Sequence, residues 1–411
     1  MSVGSWFQKN ITRRQALKAT SATLVAAGAA ASLSGCGAKD ENMEESVDDK
    51  SYKYVDILKT FKEEDRDIKE KDQLKGEVGT VFGNSSNENY LACLTPGENS
   101  ANWIQGSYVN LDDNSFNVCV AQPKNADANW VIYQVACSES VYAWVELNIL
   151  SNHWQLFAAP LQDKGLGTAM CLWKSTDQYE PPYPVCWRDK VMWLVMPDPK
   201  KDARLKPSAC YIWSLGQNQA YAQVESRGRF ACQPSVSEGL LVLTPRARLK
   251  RQESVNYSIS VFNVDSNLAT KVDALILPNG IKPLYATYIN RNFVFSIEAS
   301  YQSELPFARM GTYIGSKDGP FYFLNREPYA QVSGTEEGAY LIKSKGSYLV
   351  VDTSRKVYTT LDSQDRCTDY GEYPCTGGTM NTFVTYSTTK NEETGYPDSV
   401  TIRTFQVDSR T

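Results

Sequence analysis

Seven short apolar runs recur at nearly constant spacing along this chain of 411 residues, and that period is its strongest constraint. They begin at Tyr90, Val141, Val191, Leu240, Phe293, Ala339 and Phe383, which lie 51, 50, 49, 53, 46 and 44 positions apart. The runs are rich in β-branched and aromatic residues and are bounded by Gly, Pro, Asn and Asp, the composition of strands between turns. Two positions before each run stands a polar or charged residue: Glu88, Glu139, Asp189, Glu238, Arg291, Glu337 or Asn381. Seven units of this length, each with room for three or four strands, fit the blades of a β-propeller better than a sandwich. The expected fold is an all-β β-propeller over residues 76–411, of seven blades, with six as the alternative if the short last unit is not a full blade.

A blade is a four-stranded antiparallel meander with its innermost strand first. In the third unit the strands are expected at 184–188, 191–196, 209–215 and 220–226; in the fourth, at 230–235, 240–244, 257–264 and 269–277. The segment 399–407 reads as a third strand with none after it, so 77–82 or the segment around Tyr52 is expected to complete the last blade. Closing the ring in this way removes the exposed sheet edges.

The N-terminus reads as an address. Arg13-Arg14 and Leu17-Lys18 precede a weakly apolar stretch, 19–31, which ends in Leu33-Ser34-Gly35-Cys36. The stretch is too short and small-sided to span a bilayer, which takes about 20 apolar residues. A charged start, an apolar middle and small residues at a cleavage point make a signal peptide. These residues resemble a bacterial twin-arginine export signal ending in a lipobox, with Ala16 where such signals usually carry Phe. The resemblance covers residues 11–36 and implies a signal peptide over 1–35, export of the folded chain, and cleavage before Cys36 with acylation of its thiol. Several acyl chains on Cys36 would anchor the protein at the outer side of the cell membrane, which one chain alone does poorly. Residues 36–75 follow as a charged tether: 9 basic and 13 acidic residues fall within 39–75. Helical spacing of Tyr54, Leu58 and Phe61 suggests a short helix there, and a strand at 52–58 competes with it. By period alone the body resembles the general WD40-like and TolB-like class of β-propellers, although it has no Trp-Asp dipeptide. That fold hosts hydrolases, lyases, sensors and scaffolds alike.

Composition removes several functions. A net charge of −5 argues against a nucleic-acid binder, which needs basic excess. The chain has one histidine, His153, so zinc sites with two or three His are impossible. Imidazole catalysis could rest only on that residue, which is expected in a hairpin turn. No Cys-x-x-Cys pair occurs, and no metal or cofactor is expected.

Four candidate features remain. The loops expected at 197–207 and 244–254 carry Lys200, Lys201, Arg204 and Lys206 in one blade, and Arg246, Arg248, Lys250 and Arg251 in the next. Set against Asp198, Asp202 and Glu253, they offer about five net positive charges to an anionic partner: lipid headgroups, a wall polymer or an acidic protein. The residues Glu88, Glu139, Asp189, Glu238 and Glu337 would line one face as a carboxylate ring, though hairpin turns favour polar residues in any case. Tyr179, Tyr183, Trp103 and Trp154 are candidates for stacking on sugar rings. Of ten cysteines, Cys36 is the anchor, Cys367 and Cys375 are a candidate disulfide across a loop, and seven read as core residues. The sequence thus points to a lipid-anchored binding or scaffolding propeller for an envelope protein or polymer. The competing expectation is an envelope carbohydrate-active hydrolase or lyase using paired carboxylates at the propeller face.

Overall fold

The seven apolar runs are the second strands of seven sheets. The structure, a computed structural model, describes residues 52–407 except 66–67, 86–88, 98–101, 126, 128, 163–164, 201–205, 248–254, 302–304, 336, 345–346, 363–372, 376 and 381. Sheet 1 holds Val81–Phe82, Tyr90–Thr95, Gln105–Asn110 and Ser115–Val120. Sheet 2 holds Trp130–Cys137, Val141–Asn148, Trp154–Gln162 and Met170–Ser175, and sheet 3 holds Val185–Trp187, Lys190–Val195, Ser208–Ser214 and Tyr221–Ser226. Sheet 4 holds Ser235–Ser237, Leu240–Leu243, Ser258–Asn263 and Lys271–Ile276, and sheet 5 holds Tyr285–Ile289, Asn292–Ile297, Gly311–Gly315 and Phe321–Leu324. Sheet 6 holds Ser333–Gly334, Ala339–Ser344, Ser347–Asp352 and Val357–Asp362. The short last unit forms a sheet of its own, sheet 7, from Tyr373–Pro374, Thr382–Lys390 and Pro397–Val407.

The second strands read as unbroken apolar runs because each sheet is buried on both sides. Strand side chains alternate between faces, and here each face meets a different neighbour. In sheet 2, Tyr142 and Trp144 pack with Ala92, Leu94 and Tyr108 of sheet 1, while Ala143 and Val145 pack with Val191 and Trp193 of sheet 3. Met192 and Leu194 then meet Leu241 and Phe262 of sheet 4, and Val242 meets Phe293 and Phe295 of sheet 5. Val294 and Ile314 meet Tyr340 and Ile342 of sheet 6, and Leu341 and Val350 meet Phe383 and Phe405 of sheet 7. Val384 and Ile402 complete the ring against Leu91, Cys93 and Val109 of sheet 1. The arrangement is a β-propeller, as the period implies.

Strands in the third unit lie within two residues of their expected bounds, but the first strand of the fourth is Ser235–Ser237 and not 230–235. The larger correction concerns the charged segment. Residues 52–75 belong to the propeller, so the tether read over 36–75 does not extend through them. Strand β1 (Tyr54–Asp56) pairs in parallel with Phe321–Leu324 at the edge of sheet 5, and one helical turn, α1 (Ile57–Thr60), follows. Strand β2 (Lys62–Glu63) pairs in parallel with Val357–Asp362 of sheet 6. Strand β3 (Ile68–Glu77) runs antiparallel to Pro397–Val407, from Ile68↔Val407 to Glu77↔Ser399. The strand that completes sheet 7 is therefore β3, not 77–82 or the Tyr52 segment. Its charges are those of an outer edge strand, a position where charge protects against edge-to-edge association. Several are partnered: Arg403 Nε lies 2.9 Å from Glu70 Oε2, and Asn114 donates to Asp72 at 2.9 Å.

Strand alternation divides the loops between two faces. First-to-second and third-to-fourth turns lie on one, here the turn face. Second-to-third loops and the connections between sheets lie on the other, the loop face.

Ile57 and Phe61 are buried in the core between sheets 5 and 6. Ile57→Ala is accordingly expected to lower unfolding stability by about 2–4 kcal/mol, as a core truncation does. Denaturant unfolding checks this; an unchanged midpoint would return the segment to a tether.

Candidate functional site

The central channel is the natural place to seek a ligand in a propeller. Its walls come from the short innermost strands and their flanks, with Ser85, Val185, Cys186, Ser235, Val236, Gln331 and Gly377 around one cavity. None of these is a carboxylate. Toward the turn face the channel is crossed by chain. Segment Gly378–Thr379 pairs in parallel with Ser333–Gly334 of sheet 6. It also reaches sheet 4: Thr379 N donates to Ser237 Oγ at 2.8 Å, the Thr379 and Ser237 hydroxyls lie 3.0 Å apart, and Thr379 Oγ1 donates to Glu238 Oε2 at 3.2 Å. Gly378 permits this approach, since its φ is +91° and a Cβ there would lie 2.9 Å from Ser237 Cβ.

On the turn face, Glu139, Glu238 and Glu337 are exposed and Asp189 is half-buried, while Glu88 lies outside the described residues. The turns are tied to each other: Ser138 Oγ donates to the Arg188 carbonyl at 2.5 Å, and Asn290 Nδ2 to the Thr335 carbonyl at 2.5 Å. Among the described residues, no three His, Cys, Asp or Glu side chains converge as a metal site would require.

Of the candidate basic patch, Lys200 and Lys206 are exposed on the loop face of sheet 3. Arg246 is half-buried on sheet 4, its guanidinium seated against Gly228, where a Cβ would lie 2.6 Å from Cζ. Lys201, Arg204, Arg248, Lys250 and Arg251 lie outside the described residues. Between these loops stands an ion pair that the sequence did not suggest. Arg229 donates to Glu180 Oε2 at 2.6 Å and also to the Pro197 carbonyl, with only 23% and 21% of the two side chains exposed. Burial pushes the Glu180 carboxyl above its usual range, and Arg229 pulls it back. Beside it, Tyr179 bridges Pro197.

The aromatic candidates separate. Trp154 is fully buried in the core between sheets 2 and 3 and donates from Nε1 to the Tyr179 carbonyl at 2.9 Å, so it presents no stacking face. The Tyr183 and Tyr133 hydroxyls meet at 3.2 Å, and Trp103 remains 41% exposed with its Nε1 on the Gly79 carbonyl. His153 is exposed beside the hairpin turn that joins two strands of sheet 2. A second feature missed in the sequence is Glu146, fully buried in sheet 2. Its two oxygens accept from Lys124 N, Trp144 Nε1, Asn125 N and Asn125 Nδ2 at 2.7–3.3 Å. Every donor but the indole comes from the connection before sheet 2, so this carboxylate fastens a loop.

Cys93, Cys137, Cys186 and Cys210 are buried thiols, and Cys119, Cys171 and Cys232 are half-buried. Burial pushes the Cys137 thiol up to about 12 and those of Cys93, Cys186 and Cys210 up as well. Cys375 is buried against the core between sheets 7 and 1, and Cys367 lies outside the described residues, so their disulfide does too.

Exposed apolar side chains are distributed unevenly. Among the described residues twelve large ones are exposed. Tyr54, Val118, Tyr221 and Val272 sit on outermost strands. The other eight all belong to the loop face: Val78 between sheets 7 and 1, Trp103 on sheet 1, Ile149 and Leu150 on sheet 2, Val255 on sheet 4, Tyr301 and Leu305 on sheet 5, and Tyr396 on sheet 7. None belongs to the turn face.

No known protein-family model matches the chain, and no curated protein matches its sequence. Among solved structures, a chain of the mitotic checkpoint complex superposes with a TM-score of 0.50 at 7% identity, covering 84% of this chain and 94% of that one. The β-propeller domain of the Trilobed protease from Pyrococcus furiosus gives 0.46 at 9% identity over 82% and 98%. An acylaminoacyl peptidase gives 0.45 at 10% identity over 82% of this chain and 52% of that one. At such identities the likeness is one of fold: the chain is a β-propeller.

Two outcomes test this description. With Arg229→Met, burial and the Asp198 charge raise the Glu180 carboxyl against the weaker pull of Lys282, and it stays above the unfolded value of about 4.3. The variant should lose about 1–3 kcal/mol at neutral pH. A raised carboxyl pKa favours folding at low pH, so the loss should shrink as pH falls toward about 4.3; unfolding midpoints against pH read this. Thiol labelling at about pH 8 should leave Cys93, Cys137, Cys186 and Cys210 unmodified in the folded protein and modify them in denaturant, because reaction needs the thiolate.

Proposed function

We propose that the protein is an exported lipoprotein, anchored through Cys36, whose propeller is a binding or scaffolding module for an envelope protein or polymer. One observation supports this most directly. Among the described residues the cavity at the centre of the propeller is lined by no carboxylate, and toward the turn face the channel is crossed by the hydrogen bonds between Thr379 and Ser237, so recognition falls to the exterior. That exterior rests on rigid sheets, and loops held by a rigid scaffold are the usual carriers of binding. Arg13, Arg14 and the lipobox residues Leu33-Ser34-Gly35-Cys36 support export and anchoring.

Pull-down from a detergent-solubilised envelope with the Cys36-anchored protein tests the reading. A single envelope protein or polymer is expected to co-purify in near-stoichiometric amount, and Cys36→Ala should move the protein out of the salt-washed membrane fraction. Hydrolysis of an envelope polysaccharide by the purified protein, with no retained partner, would overturn it.

A further inference from the structure

The loop face and the turn face differ in a way that the fold does not require. Both consist of connections between the same strands, and both would be expected to be polar. Yet the eight exposed apolar side chains off the outermost strands are all on the loop face. They come from loops of sheets 1, 2, 4, 5 and 7, spaced around the ring. A protein partner of ordinary size covers about 800 Å² of one surface with a contiguous apolar centre. A flat apolar-polar boundary, by contrast, touches every loop tip of a disc face at once.

The residue types fit the same boundary. Trp103, Tyr301 and Tyr396 are amphipathic rings of the kind that settle at headgroup level, and Ile149, Leu150 and Leu305 add aliphatic tips. The hairpin tip carrying Ile149 and Leu150 is held in shape: Ile149 N donates to the Asn129 carbonyl at 3.0 Å and Leu150 N to Asn148 Oδ1 at 3.1 Å. Over sheets 3 and 4 the loops of this face contribute exposed Lys200, Lys206, Arg227 and Lys282, while the exposed carboxylates Glu298, Glu327, Glu392 and Glu393 lie over sheets 5 to 7, so the cationic part of the face is the side over sheets 3 and 4. These cations complement anionic lipid headgroups, each contributing about 1 kcal/mol near such a surface.

We propose that the loop face is a membrane-docking surface for an anionic phospholipid bilayer. The disc lies with its second-to-third loops in the headgroup region, and its turn face is left for the partner. The proposal deepens the reading of the protein as membrane-anchored but does not need the anchor, because the face itself supplies the contact.

The test uses the chain from residue 36 onward carrying Cys36→Ala, so that neither the signal segment nor an acyl chain is attached. It is sedimented with vesicles of phosphatidylcholine alone or mixed with phosphatidylglycerol. Binding to the mixed vesicles that weakens with salt is expected. Replacing Ile149, Leu150 and Leu305 with Ser should weaken it at least about tenfold, since each tip loses part of its apolar burial. Lys200→Ser and Lys206→Ser should each weaken it about fivefold and leave the small binding to neutral vesicles unchanged. All these positions are exposed, and thermal unfolding unchanged from the parent confirms that each variant folds. Absence of binding to mixed vesicles, or binding that the loop-face variants do not alter, overturns the proposal. Failure of the lipoprotein reading shows elsewhere: wild type and Cys36→Ala would partition alike into detergent.

Discussion

Every part of this structure depends on sheets being covered on both sides. A sheet such as Lys190–Val195 with its neighbours sends Val191 and Trp193 one way and Met192 and Leu194 the other, and all four are buried. No such sheet can shield its apolar surface alone, so the fold requires a closed ring. The joint that closes it lies at sheet 7. Among the described residues, only six buried residues form the core on each side of sheet 7, against sixteen between sheets 4 and 5. Where the apolar core is thin, strand pairing takes over: Pro397–Val407 is hydrogen-bonded to Thr382–Lys390 on one side and to β3 on the other. The segment 54–77 thus closes the ring by pairing with the last strand of the propeller, and on its way it adds β1 and β2 to the edges of sheets 5 and 6.

That closure sets where chemistry can occur. Seven sheets leave a central channel, and Gly378 lets the segment Gly378–Thr379, paired with sheet 6, cross it to Ser237 of sheet 4. The turn face is then stitched by short hydrogen bonds such as Ser138 to Arg188, whereas the loop face keeps the longer connections and the exposed apolar tips. The buried polar groups act as fasteners for those connections: Glu146 fixes the one before sheet 2, and the Arg229–Glu180 pair joins two connections around sheet 3.

Much of the fold was legible because its signal is two-sided burial. Five consecutive apolar residues, as in 141–145, mark a strand with a neighbour on each face, and their spacing gives the sheets. What escaped was whatever is covered on neither face or rests on distant partners. Strand β3 has only Ile68, Leu74 and Gly76 half-buried, so its sequence looks like a solvated tether; the pairing with residues more than three hundred positions away is what orders it. The two readings that competed around Tyr54, Leu58 and Phe61 both occur, a strand over Tyr54–Asp56 followed by the helical turn Ile57–Thr60. At the site, Lys200 and Lys206 are exposed on one face as their loop position implies. The burial of Trp154 and of Glu146 was not readable, since an aromatic or an acid beside a hairpin looks alike whether it turns inward or out. The gathering of apolar tips on one face was not visible either. It appears only when loops from five sheets are brought to the same side of the disc.

Native-state hydrogen exchange on the amides of Ile68–Glu77 tests the closure most directly. If β3 is the strand that completes the ring, the amides it bonds to Pro397–Val407 exchange only through the same large-scale opening that releases sheet 7, and their protection falls in step with stability as denaturant is added. Exchange at the rate of an unfolded peptide, while Thr382–Lys390 and Pro397–Val407 stay protected, would contradict the account.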